Sequence, residues 1–192
     1  MNAETMFANG SPDDKIAILI DGENLHYGAK NMGIHLDYLA LSRKITGDRN
    51  LRRCGFYTTL SNKSQSKVDF INFLKLNGLQ VTVREVHEDD DGNTRTFGNL
   101  DVDLAVDAMA MVDNIDTFVI CSGDGDFVPL VKKLVSYGKH VVVCALRTMT
   151  STELISSCDL FIDLKEIKDD ICLDSSSRDA DNDPDNIMEN EY

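Results

Sequence analysis

Short continuous apolar runs alternate along the chain with segments whose apolar residues recur every three or four positions. The continuous runs predict buried strands at residues 15–20, 51–59, 79–86, 117–121, 140–146 and 160–164. The recurring pattern predicts helices at residues 37–46, 66–77, 101–112, 127–137 and 151–158. Strands that are apolar throughout and alternate with helices are typical of a parallel sheet covered on both faces. The predicted fold class is α/β, a three-layer α/β/α sandwich with a mainly parallel central sheet.

The composition changes at both ends of the chain. Residues 1–14 are predicted to be a disordered leader, residues 15–167 one folded domain and residues 168–192 an acidic disordered tail. The tail has nine acidic and two basic side chains, so it carries −7 of the net charge of −14. The overall charge disfavours a polyanionic partner, but half of the negative excess lies in the tail. The tail is a candidate site for a protein partner.

Neither a membrane span nor a secretory signal is visible. No stretch approaches the roughly eighteen consecutive apolar residues that a span needs, and the first residues lack a basic start and an apolar core. The five cysteines form no Cys-x-x-Cys pair and have no histidine at zinc spacing. We therefore expect a cytoplasmic protein without membrane contact, whose oligomeric state the sequence leaves open.

Aspartates follow two of the predicted strands at the point where each strand ends. Asp21 comes directly after the first strand, at the start of residues 21–24, which are predicted to form a turn. Asp124 and Asp126 belong to the SGDGDF segment that follows the strand at residues 117–121. Asp101 opens the predicted helix at residues 101–112. Sites in open parallel sheets form outside the carboxyl ends of the strands, near a change in strand order. We therefore expect these four carboxylates to converge.

Four converging carboxylates predict a site for a hard cation. Mg²⁺ and Mn²⁺ prefer carboxylate and water oxygens and need only a few protein ligands. Beside a phosphodiester, such an ion activates water and stabilises the leaving oxygen. The glycines of the SGDGDF segment are expected to let the backbone turn tightly between its two aspartates.

Each aspartate taken alone also has a simpler explanation. Asp126 precedes a predicted helix and can serve as its N-cap, while Asp124 can be a turn residue. Asp101 can act only as a favourable charge at a helix start, where Asn99 is a competing cap. The joint occurrence of the four, rather than any one of them, favours the metal site.

Two further acidic segments have simpler interpretations. Asp103 and Asp107 share a helix face, which is usually solvated, although Asp107 lies in an apolar run and can point inward. Residues 88–93 look like a calcium-binding loop. However, with Gly92 as the turn glycine, the first and twelfth positions fall on residues 87 and 98, which are histidine and glycine. An exposed turn is the better interpretation of that segment.

Three segments resemble, in order, the motifs of LabA-like NYN-domain proteins, a family of the PIN-like nuclease superfamily. They are ILIDGEN at residues 18–24, DVDLAVDA at residues 101–108 and SGDGDF at residues 122–127. The resemblance covers about residues 15–167. It implies a PIN-like α/β/α fold, RNA as a partner and a ribonuclease site that depends on Mg²⁺ or Mn²⁺.

The same resemblance assigns roles to individual positions. It implies that Asp21, Asp101, Asp124 and Asp126 are both catalytic and metal-binding, and that Asn24 and Ser122 contact substrate. Many members have Lys-Gly-Val before the central aspartate, whereas this chain has Gly-Asn-Leu at residues 98–100. Another cation would then have to contact the phosphate. The candidates, each of which is otherwise an ordinary surface charge, are Lys63, Lys67, Arg95 and Arg147.

Competing functions follow from these motifs. The first is a metal-dependent ribonuclease that hydrolyses RNA phosphodiester bonds and leaves 5′-phosphate and 3′-hydroxyl ends. The alternative is a catalytically silent NYN-domain regulator that acts through protein or RNA binding. A third class, the Asp-based phosphohydrolases, fits less well. Haloacid dehalogenases need Asp-x-Asp after the first strand, where this chain has Asp-Gly-Glu, and Toprim proteins have glutamate as their first-strand acid.

Overall fold

The computed structural model describes residues 11–61, 64–88, 94–96 and 99–173, which form one layered α/β/α unit. Seven strands form a single sheet: β1 Lys15–Asp21, β2 Asn50–Ser61, β3 Gln80–Glu88, β4 Thr94–Thr96, β5 Thr117–Cys121, β6 His140–Ala145 and β7 Leu160–Asp163. The α-helices are α1 Gly22–Met32, α2 Tyr38–Thr46, α3 Gln65–Leu76, α4 Leu100–Ala110, α5 Val128–Ser136, α6 Thr152–Ser157 and α7 Lys168–Ile171. The predicted α/β/α fold class is confirmed.

The strand order of the sheet is β4-β3-β2-β1-β5-β6-β7. Every pairing is parallel except that of β3 with the short edge strand β4. After β1 the chain adds β2 and β3 on one side, and it later places β5 on the other side of β1. The order therefore reverses between β1 and β5, and the carboxyl ends of these two strands flank the crevice in which α/β proteins bind ligands.

The core lies on both faces of the sheet. Residues 16–20 of β1 are completely buried, which explains why the strand is apolar at every position. Ile16, Ile18 and Ile20 pack with residues of α1, α2 and α3. Ala17 and Leu19 pack on the opposite face with residues of α4, α5 and α6. The two helix layers thus hold β1 at the centre of the domain.

Capping residues mark the observed boundaries of most of the predicted helices. Asp37 accepts hydrogen bonds from the backbone of the first turn of α2, and Ser64 does the same for α3. Gly78 and Gly138 follow α3 and α5 with positive φ angles of 90° and 74°, which glycine adopts without strain. Helix α4 ends at Ala110, where a 3₁₀ turn at Val112–Asn114 continues the predicted segment.

The prediction of a turn after the first strand is wrong. Residues 22–32 form α1, which starts directly at the end of β1 because the Asp21 side chain caps it. Leu25, Ala29 and Met32 have the spacing of one helix face, and Gly33 ends the helix with a φ of 65°. This pattern was readable in the sequence, but the polar start of the segment has the composition of a turn.

The ends of the domain also differ from the prediction. Asp14, assigned to the leader, binds Arg49 at 2.8 Å and accepts a hydrogen bond from Thr117, so it fastens the start of the sheet. Beyond residue 167, α7 buries Ile171 completely, and Cys172 pairs with Leu36. The packed chain therefore extends to residue 173. The rest of the predicted tail, residues 1–10 of the leader and the acidic turn at residues 89–93 lie outside the described residues.

Candidate metal centre

Asp21 ends β1 and begins α1, so its carboxylate lies at the carboxyl edge of the sheet. One oxygen accepts a hydrogen bond from the Asn24 backbone at 3.1 Å, and the other accepts one from the Ser122 hydroxyl at 2.8 Å. Burial raises the pKa of Asp21 from 3.8 to about 6, against the lowering effect of these two hydrogen bonds. A buried carboxylate held in this way gains from a nearby cation.

Two side chains fasten the loop after β5 to the start of α1. Ser122 is fully buried, and its hydroxyl donates to Asp21 while accepting from the backbone of Asp124 at 3.2 Å. The Asn24 side-chain oxygen accepts from the backbone of Gly123 at 2.9 Å. Asn24 and Ser122, the predicted substrate-contacting residues, therefore hold the two carboxylate-bearing segments together. Asn24 also lines an open cleft at this edge of the sheet.

Gly123 is needed for close packing rather than for a left-handed turn. Neither Gly123 nor Gly125 has a positive φ angle. A Cβ atom on Gly123 would lie 2.8 Å from the backbone oxygen of Met149, and the Gly123 carbonyl accepts a hydrogen bond from Ser151 at 2.9 Å. Gly123 is therefore required because a second backbone segment packs against it and supports the loop, and not because of a tight turn as expected.

Asp101, Asp124 and Asp126 form an acidic cluster at this edge. One carboxylate oxygen from each lies within 4.8 Å of the other two. The backbone of Asp126 donates to Asp124 at 2.9 Å, so Asp124, and not Asp126, caps the short 3₁₀ turn at Gly125–Phe127. Helix α5 has no side-chain cap, so the capping explanation of Asp126 is wrong. An all-carboxylate oxygen set of this size fits Mg²⁺ or Mn²⁺.

Asn99 leaves the Asp101 carboxylate available to the cluster. The Asn99 side chain accepts from the Asp101 backbone at 2.8 Å and caps α4. Burial and the negative charge of Asp124 raise the pKa of Asp101 above its usual value. The part of this rise that comes from Asp124 is repulsion between the two carboxylates, which a bound cation would relieve.

The structure brings all four predicted aspartates to one edge but not into one cluster. Asp21 lies outside the trio and shares a cleft of about 490 Å³ with Asp101 and Asp124. Burial is the main cause of the raised pKa of Asp21, and the charges of Glu23 and Asp101 across this cleft add smaller contributions. Other lining residues, absent from the sequence prediction of the site, are Glu23, Tyr27, Thr59, Asn99 and Leu100.

Glu23 anchors the first turn of α1 to the carboxyl end of β2. One of its oxygens accepts from the Thr58 hydroxyl at 3.0 Å, the Thr59 backbone at 2.8 Å and the Thr59 hydroxyl at 2.9 Å. Lys67 is 1% exposed, with its ammonium 3.8 Å from the same oxygen. The DGEN motif contains Glu23, but its anchoring role depends on a contact with β2, about 35 residues later in the chain, which the motif alone does not indicate.

The remaining aspartates of α4 are engaged elsewhere. Asp103 accepts two hydrogen bonds from Arg84, at 2.6 and 2.7 Å. Asp107 points inward, where it binds Arg53 and accepts from the Tyr57 hydroxyl at 2.7 Å. The inward alternative for Asp107 is therefore confirmed, and Asp103 is bound to β3 rather than simply solvated. Among the three aspartates of this helix, Asp101 faces the acidic cluster.

Of the four proposed phosphate-contacting cations, the two whose side chains the structure describes lie away from the cleft. Lys67 is buried beneath Glu23, and Arg147 lies 3.5 Å from Asp163 and stacks over Phe161. The side chains of Lys63 and Arg95 lie outside the described residues. Among the described residues, carboxylates therefore dominate the charge of this cleft.

Comparison with known proteins gives the family. The family model for the NYN domain matches residues 15–167. The chain belongs to the NYN-domain family. It is 31% identical over 165 residues to the low amplitude and bright protein LabA of Synechococcus elongatus, covering 80% of this chain and 86% of LabA. It is also 30% identical over 156 residues to an uncharacterized protein of Methanocaldococcus jannaschii, covering 80% of this chain and 57% of that relative.

A solved structure supports the same fold. A crystallised protein of unknown function from Vibrio parahaemolyticus superimposes with a TM-score of 0.72 at 28% identity, covering 86% of this chain and 99% of the other. NYN domains are PIN-like nuclease domains, which typically use divalent metals, and this NYN domain has an acidic cluster at the expected edge. None of the helices in the described ranges has the length and hydropathy that a bilayer crossing requires.

Proposed function

We propose that this NYN domain is a ribonuclease that depends on Mg²⁺ or Mn²⁺ and hydrolyses RNA phosphodiester bonds. The observation that carries the proposal is the trio Asp101, Asp124 and Asp126, within 4.8 Å of one another at the crevice between β1 and β5. Family membership indicates the nuclease class, and the oxygen-only donor set fits the ions that such enzymes use.

The four aspartates have different tasks in this proposal. Asp101, Asp124 and Asp126 would hold the ion, which when bound activates water and offsets the charge that develops on the phosphate. Asp21, across the shared cleft, adds negative charge that attracts cations and keeps the ends of β1 and β5 in register through Ser122. Cleavage by water, without a protein nucleophile, leaves 5′-phosphate and 3′-hydroxyl ends.

The charge of the cleft makes the ion necessary for binding as well as for chemistry. The cleft is lined by Glu23 and three aspartates, with Asp126 adjacent in the acidic cluster, and these carboxylates repel a phosphodiester. The buried Lys67 lies beside Glu23 rather than in the open cleft. RNA can approach only when cations neutralise part of this charge. Removal of divalent ions is therefore expected to weaken RNA binding in addition to stopping cleavage.

The test is cleavage of a panel of labelled single-stranded RNAs with Mn²⁺ and with EDTA. Asp124→Asn removes one ligand charge while keeping the side-chain size, and cleavage should fall on the order of 100-fold or more. Asp113→Asn is the matched control, because Asp113 is exposed and precedes β5 at the opposite edge of the sheet. A wild-type rate equal to that of Asp124→Asn would contradict the proposal.

The regulator hypothesis predicts a different pattern in the same experiment. RNA binding in Mn²⁺ without any wild-type cleavage would favour a catalytically silent RNA-binding domain. Binding of a protein partner through residues 168–192 would be unaffected by Asp124→Asn. The same binding would be lost when the chain is truncated after residue 173. These outcomes separate the nuclease from both forms of the alternative.

A further inference from the structure

A second groove begins at the acidic cluster and runs between α4 and α5. It has a volume of about 620 Å³, and we call it the α4–α5 groove. Its apolar lining comes from both helices and the turn before α5, and consists of Val102, Ala105, Met109, Phe127, Pro129 and Leu130. Its polar residues are Asn99, Asp101, Asp126 and Lys133. The surface is thus apolar along its length and charged at its ends.

The two ends of the groove carry opposite charges. Asp101 is in the first turn of α4, and Asp126 is in the 3₁₀ turn Gly125–Phe127 that leads into α5, so both lie at the mouth beside the proposed ion. Lys133 is five residues beyond Val128 in α5, about 7.5 Å along the helix axis, and it is exposed beside Tyr137. A ligand that spans the groove would meet the ion at one end and an ammonium group at the other.

We propose that the α4–α5 groove binds the nucleotide adjacent to the cleaved bond, with the base on the apolar lining and the next phosphate towards Lys133. The inference rests on the proposed ribonuclease function, because it takes the position of the cleaved phosphate from the acidic cluster. Two of the three ion-holding aspartates also line the groove, so a phosphate at the ion sits at its mouth.

Size and chemistry support a nucleotide as the occupant. The groove volume is within the range of small-molecule sites, about 300 to 1,000 Å³. Single-stranded nucleic acids bind where cations contact the backbone and aromatic side chains stack on the bases. Phe127 is the aromatic residue of this lining, and aliphatic side chains form the rest of its apolar surface. The groove offers no array of hydrogen-bonding side chains along its apolar part, so it should accept different bases with little discrimination.

A matched pair of substitutions on one helix tests the groove. Val102 lines it and is 57% exposed, whereas Val106, one turn further along α4, does not line it and is 60% exposed. Both side chains are exposed enough for Val→Glu to leave the fold intact. We expect Val102→Glu to weaken binding of a short labelled poly-uridine RNA about tenfold at near-physiological salt. Val106→Glu should change it less than about twofold.

A second pair tests the cationic end. Lys133→Gln should lower the dependence of log affinity on log salt by about 0.7, the value for one phosphate contact to a single strand. Lys132→Gln is the control, because Lys132 binds Glu153 at 2.7 Å and does not line the groove. Binding is measured by fluorescence anisotropy in Ca²⁺, with the RNA checked on a gel to be intact.

The outcomes separate this inference from the proposed function. Equal RNA affinities for Val102→Glu and Val106→Glu, with normal wild-type cleavage in Mn²⁺, would overturn the groove alone. Weakened binding only in Val102→Glu, without wild-type cleavage, would support nucleotide binding in the groove but contradict the nuclease and the position assigned to the cleaved bond. Absence of wild-type RNA binding would overturn the groove. So would concentration-dependent dimerisation that Val102→Glu abolishes, because the occupant would then be a second copy of the chain.

Discussion

The two halves of the candidate site are built differently. Around Asp21 both carboxylate oxygens accept hydrogen bonds from within the protein, and the neighbouring Ser122 is completely buried. In the cluster, Asp101 is half-buried and Asp126 is exposed, with oxygens that face one another. We call them the anchored half and the open half. The difference suggests that the anchored half fixes the geometry, while the open half retains oxygens for a ligand.

The largest effect should come from removing a charge in the open half. Asp101→Asn is expected to reduce Mn²⁺-dependent RNA cleavage on the order of 100-fold. Asp103→Asn, on the same helix, should leave cleavage within about threefold, because Asp103 binds Arg84 and the surface pair contributes less than about 1 kcal/mol. Similar losses of cleavage in the two variants, measured in parallel, would remove the distinction between the aspartates of α4.

The support behind the open half should be the next most sensitive feature. Gly123→Ala places a Cβ 2.8 Å from the Met149 backbone oxygen, which cannot rotate away. We expect a loss of about 2 to 3 kcal/mol in the free energy of unfolding, measured with urea. Gly125→Ala should cost less than about 1 kcal/mol, since its closest new contact, at 3.2 Å, is the movable hydroxyl of Ser151. The reverse order would contradict the packing role of Gly123.

The anchored half can be loosened without changing its charge. Ser122→Ala removes the hydroxyl that joins Asp21 to the backbone of Asp124. We expect the free energy of unfolding to fall by about 2 kcal/mol, because buried groups lose their partners. Cleavage should also fall about tenfold, through the displaced Asp124. Ser156→Ala, which removes an exposed hydroxyl bonded to Glu153, is the control. Unchanged cleavage in Ser122→Ala would mean that the anchored half does not position the open half.

The smallest effect concerns the pH dependence of stability. The pKa of Asp21 rises from 3.8 to about 6 on folding, so its contribution to stability is complete below pH 3.8 and is lost as the pH rises through about 6. In EDTA, Asp21→Asn should therefore stabilise the protein by about 1 kcal/mol near pH 8, raising Tm by about 3 °C. Near pH 4 the two proteins should melt within about 1 °C of each other. Destabilisation by Asp21→Asn at pH 8 would show that its hydrogen bonds outweigh its burial.

Several parts of this architecture could be predicted from local patterns. The strands β1, β5 and β6 are buried on both faces, so their residues are apolar at nearly every position. The aspartates that follow β1 and β5 converge because parallel strands end at the same edge. Helix α1 was not predicted, because the polar residues at its start have the composition of a loop turn. Helix α7 was not predicted, because the acidic composition of residues 168–192 indicated disorder, although Ile171 is buried.

The internal contacts of the site were beyond prediction for a different reason. The bond from Ser122 to Asp21 joins positions 101 residues apart, and that from Gly123 to Asn24 joins positions 99 apart. Their residue types are equally suited to substrate contact, so only the folded arrangement shows that they bind each other. The α4–α5 groove likewise depends on the distance between two helices, which neither helix encodes alone.

The most direct test of the central claim is anomalous diffraction from crystals soaked in Mn²⁺. The account predicts a manganese peak between the carboxylates of Asp101, Asp124 and Asp126, with Asp21 nearby but not a ligand. The peak should be lost in crystals of Asp124→Asn. A peak elsewhere, or none at the trio in well-occupied crystals near neutral pH, would contradict the assignment of these carboxylates as the metal centre.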